Sequence, residues 1–107
     1  MEDTAPHLQA LTHQAAKAAH LLKLLANEHR LMVLCLLLEQ ERTVTDLLEC
    51  IPLSQSALSQ HLSNLREASL VSCRKEGLKV FYRLESEDCA QIIATLHDIF
   101  CPHPNED

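Results

Sequence analysis

Leu53-Ser54-Gln55-Ser56-Ala57-Leu58-Ser59-Gln60-His61-Leu62-Ser63-Asn64-Leu65-Arg66 carries more structural information than any other stretch of this chain. Leu58, Leu62 and Leu65 recur at helical spacing, which predicts a helix with one apolar stripe turned toward a core. Ser54 is a good N-cap, because its hydroxyl can accept from a backbone N–H of the first turn. Gln55, Ser56, Ser59, Gln60 and Ser63 cover the opposite face, which is polar yet uncharged. Such hydroxyls and amides can read base edges in a DNA major groove, where glutamine can pair bidentately with adenine. A Ser/Gln-rich solvated helix is the plainer alternative, although such a face more often carries Glu and Lys.

The flanking segments favour the DNA-binding reading. Val71–Arg74 and Leu78–Leu84 are β-prone runs around Lys75-Glu76-Gly77, and Gly77 is the only glycine of the chain. A glycine so placed predicts a hairpin. Arg74, Lys75, Lys79 and Arg83 put cations on it, while Val80, Phe81 and Tyr82 supply its packed part. Upstream, Val44–Cys50 reads as a short helix and Ile51-Pro52-Leu53 as a turn, since proline cannot continue a helix and disfavours helical geometry at Ile51. Short helix, groove-facing helix and basic hairpin is the order of a winged helix-turn-helix, a mainly α fold with a small β wing. The candidate DNA contacts are Ser54, Gln55, Ser56, Ser59, Gln60, Ser63, Arg66 and the four hairpin cations. His61 is assigned to the DNA backbone or to packing.

The chain has 107 residues, enough for one domain, and residues 1–7 and 103–107 are expected to be disordered tails. Its longest apolar run, Leu31–Leu38, falls far short of the ~20 residues a membrane helix needs. Glu2, Asp3 and His7 stand where a signal peptide would be basic and then apolar, so a cytoplasmic location is expected. The net charge of −6 opposes DNA binding at first sight, but the segment Leu53–Arg83 carries +3 and the remainder −9. An acidic body with a basic edge orients the molecule on DNA and discourages contact through its other faces.

Before the short helix, Leu11, Ala15, Ala18, Ala19, Leu22 and Leu25 outline an alanine-rich helix suited to close helix–helix approach. His29–Gln40, with Leu31, Leu34, Cys35 and Leu38, is apolar over most of its circumference and therefore predicted to be buried. Ser86-Glu87-Asp88 starts a last helix through Ile92, Ile93, Leu96, Ile99 and Phe100, which stops at Cys101-Pro102. One protomer of this size cannot readily cover both terminal helices. Their pairing in a homodimer, with two reading heads on a pseudo-palindromic operator, is favoured over a monomer that folds its own ends together.

Three segments carry a family resemblance that extends from about Ala15 to Pro102: Leu25-Ala26-Asn27-Glu28-His29-Arg30-Leu31, Leu53–Leu62, and Val80-Phe81-Tyr82-Arg83-Leu84. The chain resembles the ArsR/SmtB family of dimeric winged-helix repressors. The resemblance implies a homodimer that occupies double-stranded operator DNA until an inducer releases it. Phe100-Cys101-Pro102, together with Cys35, is similar to the persulfide-sensing subgroup of that family, which includes biofilm-associated and HlyU-like regulators. That likeness implies that Cys35 and Cys101 are the redox-sensing thiols. Persulfide or polysulfide inducers would bridge them through a disulfide or a longer sulfur chain and weaken DNA binding.

The chemistry is plausible apart from the family. A thiolate attacks the outer sulfur of a persulfide and a nearby thiol resolves the product. A plain disulfide needs Cα atoms within ~7 Å, so extra sulfurs would serve a wider pair and select persulfide over peroxide. Against this, a buried cysteine such as Cys35 is more often a small core hydrophobe. Cys50, Cys73 and Cys89 are assigned to packing, with Cys89 or Cys50 as sites of off-pathway oxidation. All five cysteines are expected as thiols, ligands or sensors ahead of structural disulfides.

A metal-sensing repressor is the alternative within the same fold. The family's Cys-x-Cys pattern is absent from Val44–Cys50, and the histidine and glutamate of its other zinc pattern are missing at Asp88-Cys89-Ala90 and His97–Phe100. Cys35, Cys101 and His103 with a fourth ligand remain a non-standard zinc candidate. His7, His13, His20 and His29 are assigned to solvated faces or helix ends. A winged-helix interaction module without DNA binding would have lost the wing cations or the polar helix face, and neither is lost. No resident metal or cofactor is expected. Nor is an enzyme, since the chain has no glycine-rich phosphate loop and no His-Glu-x-x-His.

Overall fold

The computed structural model describes residues 4–101. Five helices and a three-stranded antiparallel sheet follow in the order α1 (Thr4–Leu25), α2 (Glu28–Glu39), β1 (Arg42–Thr43), α3 (Val44–Cys50), α4 (Gln55–Glu67), β2 (Val71–Glu76), β3 (Lys79–Leu84) and α5 (Glu87–Phe100). The architecture is a winged helix-turn-helix. None of the described helices is long and apolar enough to cross a membrane.

Residues Thr4–His7 belong to α1, where the sequence led us to expect a disordered tail. Pro6 falls in the first turn, where its missing N–H costs no helical hydrogen bond. The expected tail residues 1–3 and 103–107 lie outside the described residues. Asn27, expected only as a break, caps α2 by accepting from the N–H groups of His29 and Arg30, both at 3.0 Å.

A second element was not foreseen. Arg42 and Thr43 pair with Tyr82 and Phe81, which makes β1 an edge strand and gives the sheet the order β1-β3-β2. Two residues carry little periodicity, so the usable signal was Thr43-x-x-Asp46. Thr43 Oγ1 accepts from Asp46 N–H and the Asp46 carboxylate accepts from Thr43 N–H, a reciprocal cap on α3. The hairpin is present and turns at Gly77 with φ +63°, but Lys75 and Glu76, expected in the turn, extend β2, and Leu78, expected in a strand, joins Gly77 in the connection. With positive φ at Gly77 and not at Leu78, the two-residue connection fits a type II′ turn, which suits the twist of the strands.

The core gathers Val33, Leu34 and Leu37 of α2, Leu47 of α3, Leu58, Leu62 and Leu65 of α4, and Cys89 and Ile93 of α5. The three α4 leucines are 0%, 1% and 0% exposed. Each contributes about 2 kcal/mol through burial, and together they fix the rotation of α4. Helix α1 contributes only Leu25 to the buried set, with Leu21 and Leu24 beside it, and residues 7–20 stand in solvent.

Helix α4 ends in a Schellman turn, in which Leu70 N–H reaches Leu65 O at 3.0 Å and Ser69 N–H reaches Arg66 O at 2.9 Å. Ser69 takes φ +62°, a left-handed conformation that a side chain disfavours. Ser69→Gly should therefore stabilise the fold by about 0.5–1 kcal/mol, read as a higher urea midpoint with unchanged m-value. An unchanged midpoint would mean that the serine conformation carries no strain.

Candidate nucleic-acid interface and thiol depression

With its leucines buried, α4 turns Gln55, Ser56, Ser59, Gln60 and Ser63 together onto one open surface. Ser54 is the N-cap, accepting from Ala57 N–H at 3.1 Å, and so stands exposed at the leading edge of that surface. Gln60 donates to the Asn64 side chain at 3.3 Å, which sets one amide at the centre of the row. No charged side chain interrupts these positions.

His61, assigned to the DNA backbone or to packing, is hydrogen-bonded within the protein. Its Nδ1 accepts from Arg30 Nε at 3.2 Å, and Arg30 also donates to the backbone oxygen of Leu24 at 3.0 Å. The His29 ring lies 6.3 Å from the His61 ring. His61 therefore ties the inner side of α4 to the α1–α2 junction and does not join the outer polar row. Burial, the Arg30 charge and His29 all disfavour the imidazolium and hold the His61 pKa below its ordinary value of 6.5.

The four hairpin cations do not form one patch. Residues opposite one another in the hairpin register share a face, so Arg83 lies with Ser72, Arg74 with Phe81 and Lys79 with Glu76. Lys75 is on the other face, in line with Cys73, Tyr82 and Val80. Arg74 is exposed but engaged along the wing: its guanidinium grips both Glu41 oxygens at 2.8 and 3.2 Å, meets Glu76 at 3.6 Å and stacks 4.7 Å over Phe81. The same bonds hold the Glu41 carboxyl below its usual range. Arg83 is occupied by Glu85 at 3.3 Å and Ser72 at 3.2 Å. Both arginines are thus engaged in ion pairs on the surface of the wing. The ion pairs recorded among the described residues leave out Arg66, Lys75 and Lys79, which are all exposed.

Cys35 and Cys101 come together. Both line a small depression of about 240 Å³ between α2 and α5, with Leu31, Ile93, Leu96, His97 and Phe100. A neighbouring lobe of about 390 Å³ shares Leu31, Cys35, His97 and Cys101 and adds Glu39 and Cys50. Cys101 caps α5 through its N–H to His97 O at 2.9 Å. Burial raises the Cys35 pKa, and the neighbouring Cys101 and Glu39 charges raise it further. Cys35 is accordingly half-buried and reluctant to ionise. No disulfide is present, and all five cysteines are thiols.

The other cysteines divide. Cys89 is fully buried and its pKa is pushed up to about 11 by desolvation, so it is core and not an accessible oxidation site. Cys73 is half-buried on the wing opposite Tyr82. Cys50 is exposed and lines the larger lobe with Cys35 and Cys101, a placement that no local pattern marks. Among the described residues, no three His, Cys, Asp or Glu side chains are grouped to hold a metal ion, and His103 lies outside them.

Residues 27–72 match the model of the bacterial regulatory protein, arsR family. The transcriptional activator HlyU of Vibrio cholerae is 48% identical over 95 residues, 89% of this chain and 88% of that one. The chain belongs to the ArsR family. The biofilm growth-associated repressor of Xylella fastidiosa is 39% identical over 102 residues, 94% of this chain and 90% of its own. Among solved structures, reduced HlyU from Vibrio cholerae superposes with a TM-score of 0.84 at 48% identity, covering 88% of this chain and 99% of that chain. A homodimeric winged helix-turn-helix DNA-binding domain from Mycobacterium bovis superposes with a TM-score of 0.68 at 33% identity, covering 85% and 82%. The protein is thus a transcriptional regulator and not an enzyme.

The His61–Arg30 bond has a pH signature. A histidine that prefers the neutral form when folded contributes stability above its unfolded pKa, and that contribution is lost as pH falls through about 6.5 toward the lower folded value. His61→Asn preserves an acceptor that does not titrate. Its stability should fall less than that of the parent between pH 7.5 and 5.5, measured by urea unfolding. Equal losses in both proteins would show that His61 does not carry the effect.

Proposed function

We propose that this regulator is a dithiol-sensing repressor, a homodimer that binds pseudo-palindromic operator DNA when reduced and releases it when Cys35 and Cys101 are bridged by reactive sulfur. The observation that carries the sensing half is the shared depression: two thiols from α2 and from the end of α5 face the same apolar hollow. The DNA half is supported by the uncharged row of α4. The homodimer is supported by Leu8, Leu11 and Leu22 on α1 and Ile99 and Phe100 on α5, all more than half exposed. Apolar side chains so grouped on two helices fit burial against a second copy.

In this scheme Cys101, at the end of α5, attacks the outer sulfur of a persulfide, and its own persulfide is then resolved by Cys35. The raised pKa of Cys35 keeps its thiolate scarce near neutrality, so closure should quicken as pH rises. Closing the bridge ties the end of α5 to α2, and α2 is joined to the reading helix through Arg30 and His61. A hundredfold loss of operator affinity corresponds to ~3 kcal/mol of preference for a reading-head spacing unlike that of the operator.

The sensing test is intact-protein mass spectrometry after treatment with glutathione persulfide, with operator anisotropy on the same samples and parallel arms of peroxide and zinc. Wild type should gain a Cys35–Cys101 linkage and lose DNA affinity, whereas Cys101→Ser should keep its affinity throughout. Release of DNA by zinc alone, with the thiols unchanged, would move the protein to metal sensing.

The DNA contacts are tested separately by salt dependence. Lys75→Ala, Lys79→Ala and Arg66→Ala should each weaken operator binding and lower the log K against log salt slope by about 1. Arg74→Ala should instead cost wing stability and leave that slope closer to wild type. A full loss of slope in Arg74→Ala would show that DNA draws Arg74 away from Glu41.

A further inference from the structure

The larger lobe of the thiol depression holds a residue for which the two-thiol scheme has no use. Cys50 lines that lobe together with Cys35 and Cys101. It is exposed, and it is the last residue of α3, directly before the Ile51-Pro52 turn that leads into α4. Three thiols from α2, α3 and the end of α5 therefore border one hollow, and the remaining lining is mostly Leu31, Met32 and Leu36. Glu39 and His97 complete the lining.

We propose that Cys50 is a third sulfur-accepting thiol of this depression, and that it closes a bridge with Cys101 in competition with Cys35. The proposal rests on the persulfide-sensing reading above. The Cys101 thiolate attacks the outer sulfur of R–S–SH; the donor S–S bond breaks, RS⁻ leaves, and Cys101 becomes a persulfide. The Cys50 thiolate then attacks Cys101 Sγ; the persulfide S–S bond breaks, HS⁻ leaves, and a Cys50–Cys101 disulfide forms. If Cys50 has also been converted to a persulfide, its terminal sulfur makes the same attack and leaves a three-sulfur bridge with loss of HS⁻. The donor persulfide is the only oxidant consumed. Exposure gives Cys50 the readier access, whereas Cys35 is half-buried. The two bridges differ in what they hold: Cys35–Cys101 joins α5 to α2, and Cys50–Cys101 joins α5 to the helix-turn-helix itself.

The test treats reduced full-length wild type, Cys35→Ser, Cys50→Ser and the Cys35→Ser/Cys50→Ser double variant with glutathione persulfide. Alkylation, digestion and tandem mass spectrometry then locate each linkage. Cys35→Ala replaces Cys35→Ser where circular dichroism shows the serine protein unfolded. Wild type should contain both linkages, Cys50→Ser only Cys35–Cys101, and Cys35→Ser only Cys50–Cys101. The double variant should stop at an open Cys101 persulfide. A Cys35→Ser protein that also stops there, while wild type closes Cys35–Cys101, overturns the role of Cys50 and leaves the sensing reading intact. A Cys50–Cys101 linkage confined to covalent dimers overturns a bridge within one protomer. Wild type with no bridge of either kind overturns the sensing reading and this proposal with it.

Discussion

The burial of Leu58, Leu62 and Leu65 is the constraint on which the rest of the molecule depends. A helix can be rotated about its axis at little local cost, and nothing within α4 itself says which side faces out. Three leucines driven to near-zero exposure remove that freedom, because turning α4 by one residue would bring a leucine into water and a serine or glutamine into the core. The uncharged outer row is thus a consequence of packing, positioned before any ligand arrives. The Schellman turn at Ser69 and the Ser54 cap then fix where the helix ends, so both rotation and length of the outer surface are set by the protomer.

Helix α2 links that surface to the thiols. Val33, Leu34 and Leu37 lie in the core with the α4 leucines, while Leu31 and Cys35, on a neighbouring part of the helix, face α5. One helix therefore carries the packing of the reading head and one wall of the depression. A second connection runs through its first turn, where Arg30 spans from the Leu24 carbonyl to His61 on α4. A change in how α5 sits on α2 has a continuous set of packed and hydrogen-bonded groups through which to reach α4.

What the sequence made legible follows from how far each signal reaches. Helices α4 and α5 and the hairpin were visible because periodicity, caps and a single glycine are local properties. The convergence of Cys35 and Cys101 was visible through family resemblance alone, since no spacing rule brings together residues so far apart in the chain. Strand β1 was missed because two residues have no period, and its partner β3 lies far downstream. Arg74 and Arg83 looked free because charge counting ignores direction; Glu41, which binds Arg74, is 33 residues away in sequence. His61 sits within a run of polar residues yet points inward, a distinction that depends on Arg30. Cys50 looked like the end of a short helix, and no local pattern marks it as a lining residue of the hollow.

A sensor of this design would have to ignore the oxidants that every exposed thiol meets, and burial of one partner supplies part of that discrimination. Desolvation, Glu39 and Cys101 all oppose the Cys35 thiolate, so a dilute oxidant finds little nucleophile there. A persulfide formed on Cys101 changes the situation, because the sulfur to be attacked is then held in the same hollow and no second encounter from solution is needed. Low intrinsic reactivity and high local concentration are thereby separated onto two residues. The depression is walled mainly by Leu31, Ile93, Leu96 and Phe100, with His97 beside them. Selectivity in this scheme comes from a thiol made slow by its surroundings and a partner that delivers the reactive sulfur to it.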